Sequence, residues 1–174
     1  MSYTSIAISG QIASGTSTAA KSAASALNLK YESAGDFFRA YMLENNFPLW
    51  DKSKIPDDLD QEIDEKLTAL AKEGGYVVDA HYIGYFTKDM PNVLRVLLAC
   101  ESQERYKRAI SRHHTHTETI EEIKKREDGL DSKFRKLYAD EFYIDPKFFD
   151  LKIDTTNTTP DEVKEKIVAK FKEN

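Results

Sequence analysis

Two glycines and several hydroxyl residues are regularly spaced near the amino terminus of the sequence. The segment GQIASGTST spans residues 10–18, and its Gly10, Gly15 and Ser17 match fixed positions of the pattern G-x-x-x-x-G-K-[ST]. Loops with this pattern hold phosphate groups through backbone N–H groups, a lysine and a hydroxyl. Thr16 stands at the lysine position. The segment therefore predicts phosphate binding without the usual cation.

A phosphate-binding loop of this kind follows a strand and opens a helix, and the neighbouring segments predict both. It follows the apolar run TSIAIS, which predicts a strand, and opens TAAKSAASALN, which predicts a helix. Backbone N–H groups from Ala13 to Ser17 would then meet a phosphate chain at the positive end of the helix dipole, and Ser17 would offer its hydroxyl to Mg²⁺. The alternative is an ordinary strand-to-helix turn. The expected phosphate-binding residues are Gly10, Gln11, Ile12, Ala13, Ser14, Gly15, Thr16, Ser17 and Thr18.

A second motif, SAGDFFR at residues 33–39, follows the second predicted strand. Arg39 lies one helical turn beyond Asp36, so its guanidinium can point back toward the carboxyl edge of the sheet, where α/β proteins bind ligands. The planar fork of an arginine suits a phosphate. We therefore expect Arg39 to hold a second phosphate, the alternative being a solvated surface arginine.

Arginines recur at helical spacing in the second half of the chain. Arg105, Arg108 and Arg112 are spaced i, i+3 and i+7, which places them on one helical face, and Arg126 and Lys133 form a similar stripe on the next predicted helix. Phosphoryl transfer needs positive charge around the migrating group, and such stripes can supply it. The alternative is a solvated helix whose arginines pair with Glu101, Glu104 and Glu122.

Strands and helices alternate along the chain. The predicted strands are TSIAIS, LKYES, YVVDA, NVLRVLLAC and FFDLKIDT. The predicted helices are TAAKSAASALN, GDFFRAYMLENN, a helix carrying Leu59, Ile63, Leu67, Leu70 and Ala71, then ESQERYKRAISRHH, TETIEEIKKREDGLDSKFRKLYADEF and TPDEVKEKIVAKFK. Apolar strands between helices predict a parallel sheet of five strands that is covered on both faces. We expect one α/β domain over residues 1–174.

Composition narrows the possible partners and compartments. With 174 residues, of which 40% are hydrophobic and 32% charged, the chain suits one compact domain. A net charge of −5 argues against binding of a nucleic acid polymer. The N-terminus resembles no export signal and no apolar run approaches 18 residues, so we expect a cytoplasmic protein without membrane contact, and a monomer. Cys100 is expected to be a small buried hydrophobe.

In their order, these motifs resemble the nucleoside monophosphate kinases, and most closely the archaeal-type cytidylate kinases. The resembling blocks are the loop, SAGDFFR, DQEIDEKLTALAKEGGYVVDAHYIGYF, ESQERYKRAISRHHTHTETIEEIKKRE, FRKLY and FFDLKIDTTNTTPDEV. The resemblance implies a P-loop NTPase-type three-layer fold with a helical lid over about residues 101–139. It also implies transfer of the ATP γ-phosphate to CMP, dCMP or a related monophosphate, with Mg²⁺.

The resemblance also implies roles for individual residues. The lid is expected to provide catalytic cations, and the second motif and the end of the third strand are expected to bind the acceptor. Asp79 is expected to join Ser17 near Mg²⁺. The implied catalytic residues are Arg112, Arg126 and Arg108, and the implied acceptor-binding residues are Ala34, Asp36, Arg39 and His81.

Three positions depart from the family pattern. Thr16 replaces the loop lysine, while Ala80 and His81 stand where the family has glycine and arginine. Removing one preorganised cation slows such a step by about 100- to 1000-fold. Lys21 is expected to face elsewhere on its helix, so a lid arginine is the better candidate for compensation. The alternatives are a catalytically impaired nucleotide sensor and a P-loop kinase of another small acceptor.

The run RHHTH clusters three histidines, His113, His114 and His116. It has no accompanying cysteine or carboxylate set at metal-ligand spacing, and it falls where the family's lid turn lies. We therefore expect no metal site at this run.

Overall fold

The computed structural model describes residues 2–112 and 117–173, so the three clustered histidines lie outside the described residues. The strands are β1 (Ser5–Gly10), β2 (Lys30–Ser33), β3 (Tyr76–Asp79), β4 (Val93–Ala99) and β5 (Leu151–Asp154). The helices are α1 (Thr16–Leu27), α2 (Ala34–Glu44), α3 (Asp57–Glu73), α4 (Ile83–Phe86), α5 (Ser102–Ser111), α6 (Ile120–Leu137) and α7 (Pro160–Lys172). Two 3-10 turns cover Lys52–Lys54 and Pro146–Phe148.

The five strands form one parallel sheet in the order β2-β3-β1-β4-β5, which confirms the predicted fold class. Ile8 and Ser33 are both in register with Asp79, so β1, β2 and β3 end along the same edge. Because β1 lies between β3 and β4, the loops that follow β1 and β3 are neighbours. The sheet therefore brings the predicted phosphate loop beside Asp79.

Helices cover both faces of the sheet and produce the three-layer arrangement. Ile6 and Ile8 of β1 pack against α1 and α7, where Ala20 and Ile167 are fully buried. The alternate residue Ala7 faces the opposite layer, which α2 and α3 cover. The alternation of side chains along β1 thus serves two cores, as expected for a central strand of a parallel sheet.

Helices α5 and α6 are anchored by a third core. Ala109, Ile123, Leu130 and Phe134 are buried there beside Tyr82 of the β3–α4 connection. The predicted lid segment thus contains well-packed helices. None of the described helices is long and apolar enough to cross a membrane, and Cys100 is a buried free thiol, as predicted.

Helix α6 is shorter than the sequence pattern predicts. It begins after Thr119, whose side chain accepts from the N–H of Glu122 in a capping box, and it ends at Leu137. Tyr138 leaves the helix with φ −127° and packs its ring 4.8 Å from that of Phe86. The predicted continuation through residue 142 is therefore wrong, because aromatic packing redirects the chain. Helix α4, of four residues, was not predicted.

Candidate active site

The loop after β1 adopts a backbone that its glycines make possible. A Cβ on Gly10 would lie 2.4 Å from Ser14 Oγ and 2.7 Å from the Leu98 carbonyl oxygen, so a larger residue does not fit. Gly15 has φ +98° and Ala13 has φ +62°, both in the left-handed region. Helix α1 follows without a side-chain cap. Its first-turn N–H groups therefore face the loop opening, as anion binding requires.

A hydroxyl and a carboxylate meet beside this loop. Ser17 Oγ donates to Asp79 Oδ2 at 2.6 Å, and the Tyr31 hydroxyl lies 3.4 Å from the same oxygen. Asp79 is only 7% exposed, and burial raises the pKa of its carboxyl while hydrogen bonds from Ser17 and Thr16 oppose that rise. These hard oxygen donors fit Mg²⁺, which usually takes one or two protein ligands and completes its shell with water and phosphate oxygens.

Three depressions adjoin at the carboxyl edge of the sheet. The central one, here the transfer pocket, lies over the loop and reaches Asp79 and Ala80. Its cationic lining comes from α2, the end of α5, and α6, namely Arg39, Arg112 and Arg126. The structure thus brings together residues that are up to 116 positions apart, as Gly10 and Arg126 show. The expected catalytic roles of Arg112 and Arg126 stay predictions.

The donor-side pocket lies between the loop, α5 and the start of α7. Its lining includes Gly15, Arg108, Thr155 and Pro160. Arg108 Nη2 donates to the Thr155 carbonyl at 2.8 Å, and its Nε donates to Glu104 at 3.0 Å. Arg108 therefore faces this pocket and is absent from the lining of the transfer pocket. The expected catalytic role of Arg108 stays a prediction.

The acceptor-side pocket lies on the other flank, between α2, the 3-10 turn at Lys52–Lys54, α3 and α6. Ala34 and Arg39 line it as predicted. Asp36 is absent from its lining; its Oδ1 accepts from Arg39 Nη1 at 2.9 Å. Asp36 therefore orients the arginine and does not face the pocket.

Two aspartates of α3 form the acidic floor of the acceptor-side pocket. Asp60 pairs with Lys133, whose ammonium also donates to the Ile55 carbonyl at 2.6 Å. Asp64 accepts from the Tyr138 hydroxyl at 2.7 Å, and burial raises its pKa to about 7. The sequence signal for this floor was two carboxylates spaced i, i+4 on the buried face of a helix.

His81 is held in a neutral form. Its Nδ1 lies 3.0 Å from the Gly10 carbonyl oxygen, and burial lowers its pKa to about 4, with nearby Lys52 and Arg126 adding to the effect. A carbonyl oxygen only accepts, so Nδ1 carries the proton and Nε2 of the neutral ring has none to donate. His81 lines both the transfer pocket and the acceptor-side pocket, so its contact with an acceptor phosphate stays a prediction.

The arginines of α5 and α6 have distinct environments. Arg105 is 1% exposed and pairs with Glu127. It also donates to the Ile12 carbonyl at 3.1 Å, so its side chain is hydrogen-bonded to the phosphate loop and stabilises the loop backbone. Arg126 pairs with the buried Glu118 through Nη1. Its Nε has no acceptor among the described residues. Arg105, Arg108 and Arg126 are thus each paired with a glutamate, and for Arg108 that partner is Glu104, as the alternative reading of a solvated helix expected.

Arg112 follows the last residue of α5 and touches both the transfer pocket and the donor-side pocket. Partial removal from water lowers the pKa of its guanidinium, and the positive charges of Arg126 and Arg39 contribute. Lys21, by contrast, lies 3.8 Å from Asp36 and above the Tyr31 ring. In the described part of the chain, α1 thus contributes no cation to the transfer pocket lining.

Comparison with known proteins agrees with this geometry. The family model for an AAA domain matches residues 6–129. A cytidylate kinase from Ignicoccus hospitalis is 34% identical, with 94% of this chain and 96% of that enzyme covered. A cytidylate kinase from Sulfurisphaera tokodaii is 32% identical over 94% of this chain and 93% of its own length. The chain belongs to the nucleoside monophosphate kinase family.

Similarity to solved structures extends to other kinases of small molecules. A gluconokinase from Sinorhizobium meliloti superposes with a TM-score of 0.63 at 14% identity, covering 98% of this chain and 93% of that one. At this identity the likeness shows the P-loop kinase fold alone.

The sequence motifs of this member of the nucleoside monophosphate kinase family did not predict Lys52, which lines the acceptor-side pocket. No motif points to it, because it stands in an irregular connection.

Proposed function

We propose that this protein transfers the γ-phosphate of ATP to CMP or dCMP. The observation that carries the proposal is the meeting of a phosphate loop and three arginines, Arg39, Arg112 and Arg126, in one pocket with a second pocket on either side. Two flanking pockets suit two substrates, and the pocket between them suits the group that moves.

ATP would occupy the donor-side pocket and the loop. Its phosphates would accept hydrogen bonds from the N–H groups of the loop and the first turn of α1, as the open helix terminus allows. Ser17 and Asp79 would hold Mg²⁺, which neutralises phosphate charge when it is bound. Arg108 would contact the donor nucleotide beside Thr155.

CMP would occupy the acceptor-side pocket, with its phosphate toward Arg39 and its base toward the acidic floor. Cytosine presents an amino donor beside a ring nitrogen that accepts. The Asp64 carboxyl, with its pKa at about 7, can accept from the amino group when it is ionised and donate to the ring nitrogen when it is protonated. This match is compatible with cytosine as the base.

Transfer would follow from positioning. An oxygen of the CMP phosphate attacks the γ-phosphorus, the bond to the bridging oxygen breaks, and ADP leaves as CDP forms. Arg112 and Arg126 lie where they can stabilise charge on the oxygens of the migrating group. Thr16 offers a hydroxyl where the family has an ammonium, so the arginines must supply more of the charge.

Two alternatives have their own support. A nucleotide sensor with little turnover is supported by Thr16 and by the neutral His81, since each removes a cation that the family pattern has. A kinase of another small acceptor is supported by the gluconokinase likeness of the fold.

The deciding experiment is coupled ADP release with a panel of CMP, dCMP, UMP, AMP and gluconate. We expect turnover with CMP and dCMP. Nucleotide binding by calorimetry without turnover would favour the sensor, and turnover with gluconate alone would favour another acceptor. A wild-type protein that binds no nucleotide would refute the proposal.

A further inference from the structure

A lysine without a carboxylate partner lines the acceptor-side pocket. Lys52 stands on the 3-10 turn Lys52–Lys54, between α2 and α6. Within residues 2–112 and 117–173, its ammonium forms no ion pair or hydrogen bond, and it lies 5.6 Å above the centre of the Phe38 ring. Lys52 is half-buried, and a lysine partly withdrawn from water is normally paired, so an unpaired one in a pocket is evidence for an anionic occupant.

The groups that face Lys52 are mostly cations. Arg39 approaches from α2, and Arg126 and Lys133 approach from α6. Asp60 of α3 is the nearby carboxylate, and Lys133 already occupies it. Burial and the repulsion from these cations lower the pKa of Lys52 to about 8. The pocket therefore holds more positive charge near Lys52 than its own carboxylates neutralise.

The local fold holds the lysine in this place. Asp51 caps the turn, with Oδ1 accepting from the Ser53 N–H at 3.3 Å. A Cβ placed on Gly129 of α6 would lie 3.4 Å from the Lys52 Cβ, so the glycine lets the stem of the lysine run close against the helix. The stem is thereby directed along α6 into the pocket.

We propose that Lys52 binds the phosphate of the acceptor monophosphate together with Arg39. The inference rests on the proposed function, since it assigns a residue of the same acceptor site. It follows from how the cations around the pocket are paired: Arg126 pairs with Glu118, Lys133 is tied to Asp60 and the Ile55 carbonyl, and Lys52 is left without a partner among the described residues. A phosphate dianion would supply that partner.

The test compares Lys52→Met with the control Lys54→Met, an exposed lysine on the same turn. In Lys52→Met we expect the KM and Kd for CMP to rise about tenfold or more, as for loss of a charge-assisted contact, with kcat and the Kd for ATP changed less than about threefold. Lys54→Met should leave all four values unchanged. Because Lys52 is half-buried without a carboxylate partner and is repelled by nearby cations, Lys52→Met should also raise the melting temperature of the ligand-free protein at pH 7.

The outcomes separate this inference from the proposed function. Wild-type turnover with CMP together with an unchanged KM in Lys52→Met would overturn the role of Lys52 alone. A lower melting temperature with unchanged CMP affinity would assign it a structural role and also overturn the inference. A wild type that binds ATP but no monophosphate would overturn both the inference and the acceptor half of the function.

A pH profile keeps the inference testable if Lys52→Met does not fold. Wild-type affinity for CMP should fall as pH rises from 8 to 9.5, since Lys52 loses its charge there while the monophosphate, with a second pKa near 6, stays a dianion. Lys52→Arg keeps its charge and should show a flat profile over this range. Parallel profiles of the two proteins would overturn the assignment.

Discussion

Thr16 is the residue at which this protein departs most from its family's chemistry. The loop keeps the backbone that holds phosphates, with Gly10 confined by Ser14 and Gly15 in the left-handed region. The Thr16 hydroxyl instead acts with that of Ser17 to oppose the rise that burial causes in the pKa of Asp79. What the site lacks is therefore one positive charge, and its hydrogen-bonding frame is intact.

Restoring that charge is the first prediction. Thr16→Lys should raise kcat for phosphoryl transfer to CMP by about tenfold or more, which corresponds to ~1.4 kcal/mol of transition-state stabilisation. Ser25→Lys, on an exposed position of the same helix, is the charge-matched control. Tighter ATP binding without added turnover would point to the sensor. High wild-type activity that Thr16→Lys lowers would mean that another cation already fills the position.

Arg39 is the second residue whose role can be measured directly. Its guanidinium lines both the transfer pocket and the acceptor-side pocket, with Asp36 holding Nη1. Arg39→Ala should weaken CMP binding by about 2 kcal/mol and leave ATP binding almost unchanged. Calorimetry measures both affinities, and Arg135→Ala, which removes an exposed surface arginine, is the control. Unchanged CMP affinity in Arg39→Ala would remove the assignment.

At the scale of elements, helices α5 and α6 are each buried at one end and lie near the transfer pocket at the other. Arg105 in the amino-terminal half of α5 and Phe134 in the last turn of α6 are fully buried. Arg112 lies at the opening of the transfer pocket. We therefore expect nucleotide-dependent ordering to be confined to part of the predicted lid segment.

Hydrogen exchange tests this expectation. ATP with CMP should increase amide protection at the carboxyl end of α5 and the first turns of α6, because phosphates would engage Arg112 and Arg126. Amides around Phe134 should be well protected with or without nucleotide, since that residue is fully buried. Equal protection of the whole segment in both states would contradict a closing lid.

Helix α4 is a short element whose position depends on one glycine. A Cβ on Gly84 would lie 2.2 Å from Phe149 Cε1, so Gly84→Ala must displace that ring. We expect a loss of about 1–3 kcal/mol of unfolding free energy, typical of overpacking. Gly35→Ala is the control for stability, since its nearest contact would be an ordinary 3.6 Å. Denaturant unfolding measures both, and equal stabilities of the two variants would show that Phe149 moves freely.

At the scale of the whole molecule, two buried groups link stability to pH in opposite directions. The pKa of Asp64 is raised to about 7, so the folded state binds its proton more tightly than the unfolded state, and stability falls as pH rises from about 4 to 7. The pKa of His81 is lowered to about 4, so its contribution falls as pH decreases from about 6.5 to 4. The wild-type profile therefore mixes the two effects.

Asp64→Asn separates them. The variant should be more stable than the wild type at pH 8, by an amount on the order of 1–3 kcal/mol, because it removes a buried carboxylate whose charged form is disfavoured. The difference should shrink toward pH 4, where Asp64 is protonated. Urea unfolding across this range measures it. A constant difference at all pH values would show that Asp64 does not titrate near 7.

Local patterns were enough to predict the α/β class, the five parallel strands and the loop between β1 and α1. Apolar runs, helical spacing and paired glycines act between residues close in sequence, and such signals survive without knowledge of the fold. They also predicted that Arg39 and Asp79 would stand at the carboxyl edge of the sheet, since both follow strands that end there.

Only the tertiary structure decided how each charged group is used. Arg105 and Arg112 share a helical face in the sequence pattern. In the structure Arg105 pairs with Glu127 of another helix, whereas Arg112 lines the transfer pocket. Desolvation by burial lowers the pKa of His81, and Lys52 lines the acceptor-side pocket together with residues of α2 and α6. Burial and long-range pairing set these properties, and both depend on residues that are distant in sequence.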